Sequence, residues 1–340
     1  MIVIGAEEVA RRLDHAGCIG MMREAMIALS TGRTKQLLRG IIDLGDGDLF
    51  GVMPGAMEGA GFGAKVVSVF PAAAASGRSH QGAILLFDRA TGAPVCVVDA
   101  GEVTAIRTAC ASAAATDALA RHNAGRLAIF GTGEQAWQHA LAIRHIRRLE
   151  SIVLWGRSND KARRLAARIG EASALPVDVA DSAADAARDA DIICTTTGAA
   201  DPILRSADVA DGTHINLVGS SHAGPAEIDE ALVARARFFP DHRDGVLAQG
   251  GEFLRAKAAG LVGDDHVLGE IGAIFAGNAR GRRSVDEVTI YKSLGSIVQD
   301  LAAAAYLYQQ KADIISPSDS IFSPSDNTLK RSLTRQPNRR

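Results

Sequence analysis

The sequence predicts an α/β protein in which a doubly wound parallel sheet follows an α+β N-terminal lobe. The length of 340 residues is enough for two lobes, since a domain commonly has about 100–200 residues. Residues 126–240 alternate apolar, strand-like runs with helical segments, which is typical of βαβ units. Hydrophobic residues make up 47% and charged residues 22%, as expected for a folded globular chain.

The first hundred residues have a different pattern, with a region of helical spacing before a series of strands. Apolar residues recur at helical spacing over residues 6–31, and turn residues such as Gly45-Asp46-Gly47-Asp48 separate the predicted strands. Four strands are predicted there: Leu49–Met53, Ala64–Phe70, Ala83–Asp88 and Pro94–Val98. An Ala-rich helix, Glu102–Ala120, closes the lobe, and its small side chains favour close packing.

The second half contains strands and helices in alternation, followed by a long helix. The predicted elements are strand Leu127–Phe130, helix Glu134–Arg148, strand Ile152–Trp155, helix Asp160–Ile169 and strands Ile192–Thr195 and Ile215–Val218. Residues 284–311 show helical spacing and predict a closing helix that returns to the first lobe. We therefore predict lobes at 1–120 (with the returning helix 296–311) and 121–295, and a disordered tail at 312–340.

Composition and charge exclude several classes of protein. The net charge of −2 does not suit a nucleic-acid binder that relies on a basic surface. The four cysteines are not spaced as metal ligands, so we expect no metal site and a reducing compartment. The N-terminus has no secretory pattern, and no apolar run reaches the ~20 residues of a membrane span. We expect a cytoplasmic protein without a membrane partner.

A glycine-rich turn is the strongest local motif. Gly131-Thr132-Gly133-Glu134-Gln135-Ala136 comes after the strand LAIF and opens a helix, which makes it GxGxxA in the expected context. Gly131 permits the tight turn, Gly133 lets a pyrophosphate approach the backbone, and Ala136 allows close packing of helix on strand. The helix N-terminus adds free N–H groups for phosphates. The pattern predicts a Rossmann-type dinucleotide site.

The end of the next strand bears on which dinucleotide binds. NAD sites usually place an acid there to bind the ribose 2′-hydroxyl. This chain has Arg157 and Ser158 instead, which suit a 2′-phosphate. The sequence therefore favours NADPH, while Asp160 two residues further on leaves NADH possible.

Small polar residues come after two further strands of the predicted sheet. Thr195-Thr196-Thr197-Gly198 and Gly219-Ser220-Ser221-His222 each begin where an apolar run ends. Ligands of doubly wound sheets bind at the carboxyl ends of strands, so we expect both turns to border the cofactor.

Three cations of the first lobe suggest a pocket for a carboxylate. Lys65 lies inside the apolar strand FGAKVVSVF, Arg107 lies in the Ala-rich helix and Arg39 lies in QLLRGIID. A lysine among Ala, Val and Phe must either reach solvent or meet an anion, and arginine binds a carboxylate with two parallel hydrogen bonds.

Four segments give the chain a resemblance to a known family. GEVTAIRTACASAAATDALA, GTGEQAWQHALAI, GTHINLVGS and VTIYKSLGSIVQDLAAA, in this order and spacing, resemble the ornithine cyclodeaminase/mu-crystallin family over residues 1–311. The resemblance implies a dimer with a Rossmann lobe and an N-terminal lobe that binds substrate and carries the dimer contact. It also implies that Arg39, Lys65 and Arg107 hold the substrate carboxylate.

The resemblance implies a cofactor lining as well. The candidate cofactor residues are Ser79, Thr108, Gly131, Gly133, Glu134, Gln135, Arg157, Ser158, Thr196, Val218, Gly219 and Ser293. Leu294 is a further candidate for contact with the substrate.

One departure from the family pattern affects the expected reaction. The cyclodeaminases carry an aspartate just after the NxVG segment, where this chain has Ser221. A serine without a partner is a poor base, so the sequence favours the family's ketimine reductases, which reduce Δ1-pyrroline-2-carboxylate or Δ1-piperideine-2-carboxylate. Lys65 and Ser221 are the candidate catalytic residues, and the proton comes from solvent, from Lys65 or from a water held by Ser221.

Three other functions are compatible with the sequence. They are ornithine cyclodeamination, an amino-acid dehydrogenase such as one acting on alanine, and a non-enzymatic binding protein like mu-crystallin. The three cations beside a GxGxxA turn disfavour the last of these.

Overall fold

The computed structural model describes residues 1–70, 72–73 and 80–315, and these fall into two units. The first unit runs from Met1 to Arg107 and resumes at Ser296, and the second unit is Thr108–Gly295. Ser79 and the Ser-Pro segments from residue 316 lie outside the described residues.

A mixed sheet forms the centre of the first unit. Its strands have the order β1-β7-β6-β5-β4-β2, and β3 pairs with β4. The pairing of β1 with β7 is parallel and the other pairings are antiparallel. The elements are β1 (Ile2–Ile4), α1 (Ala6–Arg12), α2 (His15–Ser30), β2 (Thr34–Gln36), β3 (Gly40–Gly45), β4 (Asp48–Met57), β5 (Gly61–Val69), β6 (His80–Phe87), β7 (Pro94–Asp99), α3 (Ala100–Leu119), which continues into the second unit, and α11 (Ile297–Ile315).

The region of helical spacing over residues 6–31 forms two helices, α1 and α2. The chain leaves helical geometry at Leu13 and Asp14, and the Asp14 carboxylate accepts a hydrogen bond from Gly17 N at 2.9 Å. An aspartate in that position starts a new helix because it satisfies an N–H that has no partner within the helix. The apolar spacing continues across the break, which is why the sequence alone did not reveal it.

A fully parallel sheet of seven strands forms the second unit. Its order is β10-β9-β8-β11-β12-β14-β13. The elements are β8 (Arg126–Phe130), α4 (Glu134–Ile143), β9 (Ser151–Trp155), α5 (Asn159–Ser173), β10 (Val177–Val179), α6 (Ala183–Ala187), β11 (Ile192–Thr195), β12 (His214–Leu217), α7 (Glu230–Arg235), β13 (Arg237–Pro240), α8 (Arg243–Gln249), α9 (Gly251–Ala258), α10 (Ile271–Phe275) and β14 (Thr289–Lys292). The strand order reverses at β8, so the predicted doubly wound α/β sheet is confirmed.

The long helix predicted over residues 284–311 is wrong in its first half. Thr289–Lys292 form β14, a fully buried strand between β12 and β13, and the helix α11 begins only at Ile297. Gly295 between them has φ of +81°, which no continuous helix allows. A buried strand of four residues is too short to show a periodicity of its own. The helical spacing of the residues that follow β14 therefore extends the predicted helix over the strand. The helix also extends to Ile315, four residues into the predicted tail.

Two kinds of feature are missing from the part of the chain that the structure describes. No described helix combines the length and the apolar character that a bilayer crossing requires. Among the same residues, His, Cys, Asp and Glu side chains form no group of three or more suited to a metal ion.

Candidate active site

Lys65 is buried in the middle of the first unit's sheet. It lies on β5 opposite Met53 of β4, and only 4% of the residue is exposed. Its ammonium donates hydrogen bonds to Thr104 Oγ1 at 2.5 Å and to Asp300 Oδ1 at 3.2 Å. The sequence allows Lys65 either to reach solvent or to meet an anion, and in the structure it meets an anion, the carboxylate of Asp300.

Asp300 joins Lys65 to Arg107. This carboxylate on α11 is fully buried, and its Oδ1 also accepts a hydrogen bond from Arg107 Nε at 3.0 Å. Arg107 Nη1 donates to Gln299 Oε1 at 2.6 Å. Among the described residues, no group hydrogen-bonds the second carboxylate oxygen of Asp300, Oδ2. We call Lys65, Arg107 and Asp300 the buried triad.

The charges of the buried triad act on one another because water does not screen them. Burial lowers the pKa of Lys65 from 10.5 to about 8; the nearby charge of Asp300 opposes this effect, whereas that of Arg107 adds to it. Burial would raise the pKa of Asp300, but Arg107 and Lys65 outweigh it and hold that pKa below its usual value. The triad therefore contains an ionised carboxylate and an ammonium that can release its proton near neutral pH.

Arg39 adds a third cation to this electrostatic environment. It lies between β2 and β3 and is partly exposed. Its charge contributes to the lowered pKa of Lys65. With Arg39, the group has three cations and one carboxylate, and this excess of positive charge suits an anionic ligand.

The glycine-rich turn of the second unit has the geometry that a pyrophosphate requires. Gly131 has φ of +128°, and a Cβ on it would lie 2.6 Å from Thr196 Oγ1. A Cβ on Gly133, in contrast, would meet nothing within 4 Å, and α4 begins at the next residue. The turn thus joins β8 to a helix N-terminus whose approach is open, as a dinucleotide phosphate group needs.

The ends of the neighbouring strands also fit a nucleotide. Thr196 comes after β11 and donates its hydroxyl hydrogen to Phe130 O at 2.9 Å, which ties it to the end of β8. Ser293 comes after β14 and is buried, yet within the described chain its hydroxyl has no hydrogen-bond partner. A buried hydroxyl is rarely left unpaired, so a bound polar group is the natural partner for Ser293 Oγ. The residues present fit a dinucleotide.

The end of β9 presents the residues that bear on cofactor choice. Arg157 is exposed two residues after the strand, and Ser158 accepts a hydrogen bond from Lys161 N at 3.4 Å as the N-cap of α5. The cation and a helix N-terminus are therefore adjacent.

The other predicted residues have varied surroundings. Glu134 is exposed and accepts a hydrogen bond from Gln138, whereas Gln135 and Ser221 are half-buried. Thr108 is buried on α3, and Leu294 packs in the second unit's hydrophobic core. Val218 and Gly219 come after β12, and Ser79 lies outside the described residues. Their contacts with a ligand stay predictions.

Local sequence patterns do not reveal four buried charged residues of the two units. They are Asp300 in the first unit and Glu227, Glu252 and Lys292 in the second, which are buried together at the strand ends. Lys292 could have been found by the argument used for Lys65, since it comes directly after apolar and aromatic residues. The acids lie on helices or loops, where spacing gives no sign of burial.

Comparison with known proteins points to one family. The sequence profile of the ornithine cyclodeaminase/mu-crystallin family matches residues 2–313. The chain is 33% identical over 317 residues to a Δ1-pyrroline-2-carboxylate reductase of Bacillus cereus, covering 92% of this chain and 97% of that protein.

Solved structures agree with this result. The structure of Thermococcus litoralis Δ1-pyrroline-2-carboxylate reductase in complex with NADH and L-proline superposes with a TM-score of 0.88 at 28% identity, covering 92% of this chain and 97% of that one. An archaeal alanine dehydrogenase dimer with bound NAD gives a TM-score of 0.87 at 26% identity, covering 94% and 98%. The resemblance seen in the sequence is confirmed, and the chain belongs to the ornithine cyclodeaminase/mu-crystallin family.

Proposed function

We propose that this protein is an NAD(P)H-dependent reductase of cyclic imino acids. The substrate is Δ1-pyrroline-2-carboxylate, Δ1-piperideine-2-carboxylate or both, and the product is L-proline or L-pipecolate. The observation that carries this proposal is the buried triad, which combines donors for a carboxylate with a lysine poised to release a proton. The relatives named as reductases of the five-membered imine support it.

Arg107 is the main anchor for the substrate carboxylate. A guanidinium has five N–H donors, and Arg107 uses its Nε for Asp300 and one Nη1 donor for Gln299. Those two bonds fix the plane of the guanidinium and leave donors for a substrate. Arg39 and Lys65 add positive charge, so binding holds the substrate in one orientation and removes much of the entropic barrier.

Lys65 supplies the proton for the ring nitrogen. Reduction adds one hydride to C2 and one proton to nitrogen, and a reduced nicotinamide, when bound, is the source of the hydride. The ammonium of Lys65 can give up its proton because burial lowers its pKa to about 8. Asp300 stabilises the ammonium before transfer, and bulk water then restores the proton to Lys65. Of the three donors considered from the sequence, Lys65 has the best support.

We also propose a preference for NADPH with NADH as a poorer substitute. The exposed cation of Arg157 beside the N-terminus of α5 suits the 2′-phosphate, and Ser158 lies next to it. The phosphates would be held by the turn at Gly131 and Gly133 and by the start of α4.

The protein acts as a homodimer in the cytoplasm, within proline metabolism, and takes no nucleic-acid or membrane partner.

Five large apolar residues of the first unit support a dimer contact there, because they are exposed and lie close together in sequence: Leu37, Leu38, Ile41, Ile42 and Leu44. Such a patch usually marks an interface. Light scattering that gives a mass near twice 35.5 kDa would support this assembly, and a monomer mass would contradict it.

A second candidate is an amino-acid dehydrogenase, which the likeness to the archaeal alanine dehydrogenase favours. One assay distinguishes the two functions: it measures oxidation of the reduced cofactor, through the nicotinamide absorbance, with each class of substrate. A reductase of cyclic imines turns over the two ring substrates without ammonia. A dehydrogenase requires pyruvate or another open-chain keto acid together with ammonia.

A further inference from the structure

Three charged residues of the second unit are buried together without a part in the proposed chemistry. Glu227 and Lys292 are fully buried, and 1% of Glu252 is exposed. They lie at the carboxyl ends of β11, β12 and β14. We call them the strand-end cluster.

Lys292 uses its ammonium to hold Ser220. It donates hydrogen bonds to Ser220 O at 2.6 Å and to Ser220 Oγ at 2.7 Å, and it pairs with Glu252 Oε2 at 2.9 Å. Ser220 in turn donates its hydroxyl hydrogen to Glu252 Oε1 at 2.5 Å. The ammonium therefore has two hydrogen bonds, both to Ser220, and an ion-pair partner in Glu252. The residue before Ser221 is thereby fixed in place.

Glu227 connects the ends of two neighbouring strands. Its Oε2 accepts hydrogen bonds from Thr195 Oγ1 and from Gly219 N, both at 2.7 Å. Its Oε1 accepts from Thr197 N at 2.6 Å and Thr197 Oγ1 at 2.7 Å. One carboxylate therefore ties residues 195–197 after β11 to the start of the turn after β12.

Gly219 shows how closely this carboxylate approaches the turn. A Cβ on Gly219 would collide with the Glu227 carboxylate and with Thr197 O. Glu227 N also donates to Glu252 Oε1 at 3.2 Å, which links the two acids into one network. The turn at Gly219-Ser220 is thus held on one side by Glu227 and on the other by Lys292.

Stability alone is a weak reason for such a cluster. Buried ion pairs cost desolvation energy, and apolar replacements of similar volume are often as stable or more so. What a polar cluster supplies is a fixed geometry, provided that its groups are paired. The two turns it joins lie at strand ends, where doubly wound sheets bind their ligands.

We propose that Glu227 is a positioning residue for the nicotinamide end of the cofactor. Glu227 fixes the separation of the turns at residues 195–197 and 219–221. Glu252 keeps Glu227 and Ser220 in place by accepting a hydrogen bond from each, and Lys292 holds Ser220 as well. The inference rests on the proposed function only in requiring that a nicotinamide cofactor binds. Glu227 acts through the two turns and touches neither substrate nor reacting atoms.

The test replaces Glu227 by glutamine, which has the same shape but puts an N–H₂ against one backbone N–H donor, that of Thr197 or that of Gly219. We expect the affinity for NADPH to fall about ten- to a hundredfold, as for a lost hydrogen bond to a charged group. The readout is quenching of protein fluorescence during NADPH titration, since Trp137 and Trp155 lie in the same unit. In imine reduction, kcat should fall while KM for the imine changes little.

Asp191→Asn is the matched control. Asp191 is a buried carboxylate at the amino end of the same strand, β11, and accepts hydrogen bonds from Arg121 Nη2 and from the backbone N–H groups of Gly125 and Arg126. We expect both variants to lower the melting temperature, but only Glu227→Gln to weaken NADPH binding. Should Glu227→Gln fail to fold, Thr197→Val removes one donor to Oε1 at constant shape and should weaken NADPH binding severalfold.

Several results would overturn the inference. They are an unchanged NADPH affinity in folded Glu227→Gln or Thr197→Val, an equal loss in Asp191→Asn, or a wild type that binds no nicotinamide nucleotide. A wild type that binds NADPH yet reduces no imine would refute the proposed function alone, because the titration tests Glu227 without turnover.

Discussion

The ammonium of Lys65 lies 3.2 Å from the carboxylate of Asp300, and both groups are buried in the first unit. The two residues are 235 positions apart in the chain, on β5 and α11. Asp300 opposes the effect of burial on Lys65, so the lysine keeps its proton up to about pH 8. The pair therefore sets the pH range in which Lys65 can act as an acid.

The pH dependence of imine reduction should report this pair. Charged Lys65 exists below its pKa and disappears as the pH rises through it, so kcat/KM should be constant below about pH 8 and fall above it. Asp300→Asn removes the group that raises this pKa, and the fall should then begin at lower pH. Asp88→Asn, in a surface turn of the same unit, serves as the control. Identical profiles for wild type and Asp300→Asn would rule out this role of Asp300.

Arg107→Ala should weaken the enzyme mainly through the substrate carboxylate. We expect a loss of about 2–4 kcal/mol in kcat/KM, the scale for removing one partner of a buried charged pair. Arg107→Lys keeps the charge but loses the fork, so it should retain part of the activity. Steady-state kinetics with each imine measure both. If Arg107→Ala keeps the wild-type kcat/KM, the anchor is a different residue.

Sequence reasoning recovered the parts of this protein that local patterns encode. The alternation of strands and helices predicts the sheet of the second unit, and the motif from Gly131 to Ala136 predicts the turn that joins β8 to α4. Lys65 and Arg107 stand out because a cation among apolar residues needs a partner. The partner, Asp300, was invisible because it comes from a helix far along the chain.

The errors in the fold have the same origin. Helical spacing predicts a helix over Thr289–Lys292 because four residues are too few to show a period of their own. The place of this strand between β12 and β13 is decided by pairing with strands distant in sequence. In the same way, Glu227 contacts the strand ends only because the sheet brings Thr195 and Gly219 beside it.

Arg157→Asp should move the cofactor preference towards NADH. The change removes the cation that suits the 2′-phosphate and introduces an acceptor for the 2′-hydroxyl. The measurement is kcat/KM with each cofactor at a fixed concentration of imine. Arg163→Asp, which changes an exposed arginine on α5, is the control for charge alone. A ratio that Arg157→Asp leaves unchanged would place the adenosine phosphate elsewhere.

Ser221→Ala should leave imine reduction largely intact. With Lys65 as the proton donor, Ser221 contributes at most one neutral hydrogen bond, and the expected loss is about 0.5–1.5 kcal/mol in kcat/KM. The effect should be the same for both ring sizes. A loss of activity comparable to that of Lys65→Met would instead assign the proton transfer to Ser221.

The most direct test of the proposed reductase is the stoichiometry of the reaction of the wild type. With Δ1-pyrroline-2-carboxylate and NADPH, we predict one L-proline formed for each NADPH oxidised, without any need for ammonia. With ornithine and NAD, we predict no ammonia above background, because Ser221 stands where a cyclodeaminase has its aspartate. Ammonia release from ornithine without net change in the cofactor, combined with no oxidation of NADPH by the imine, would contradict the reductase and identify a cyclodeaminase.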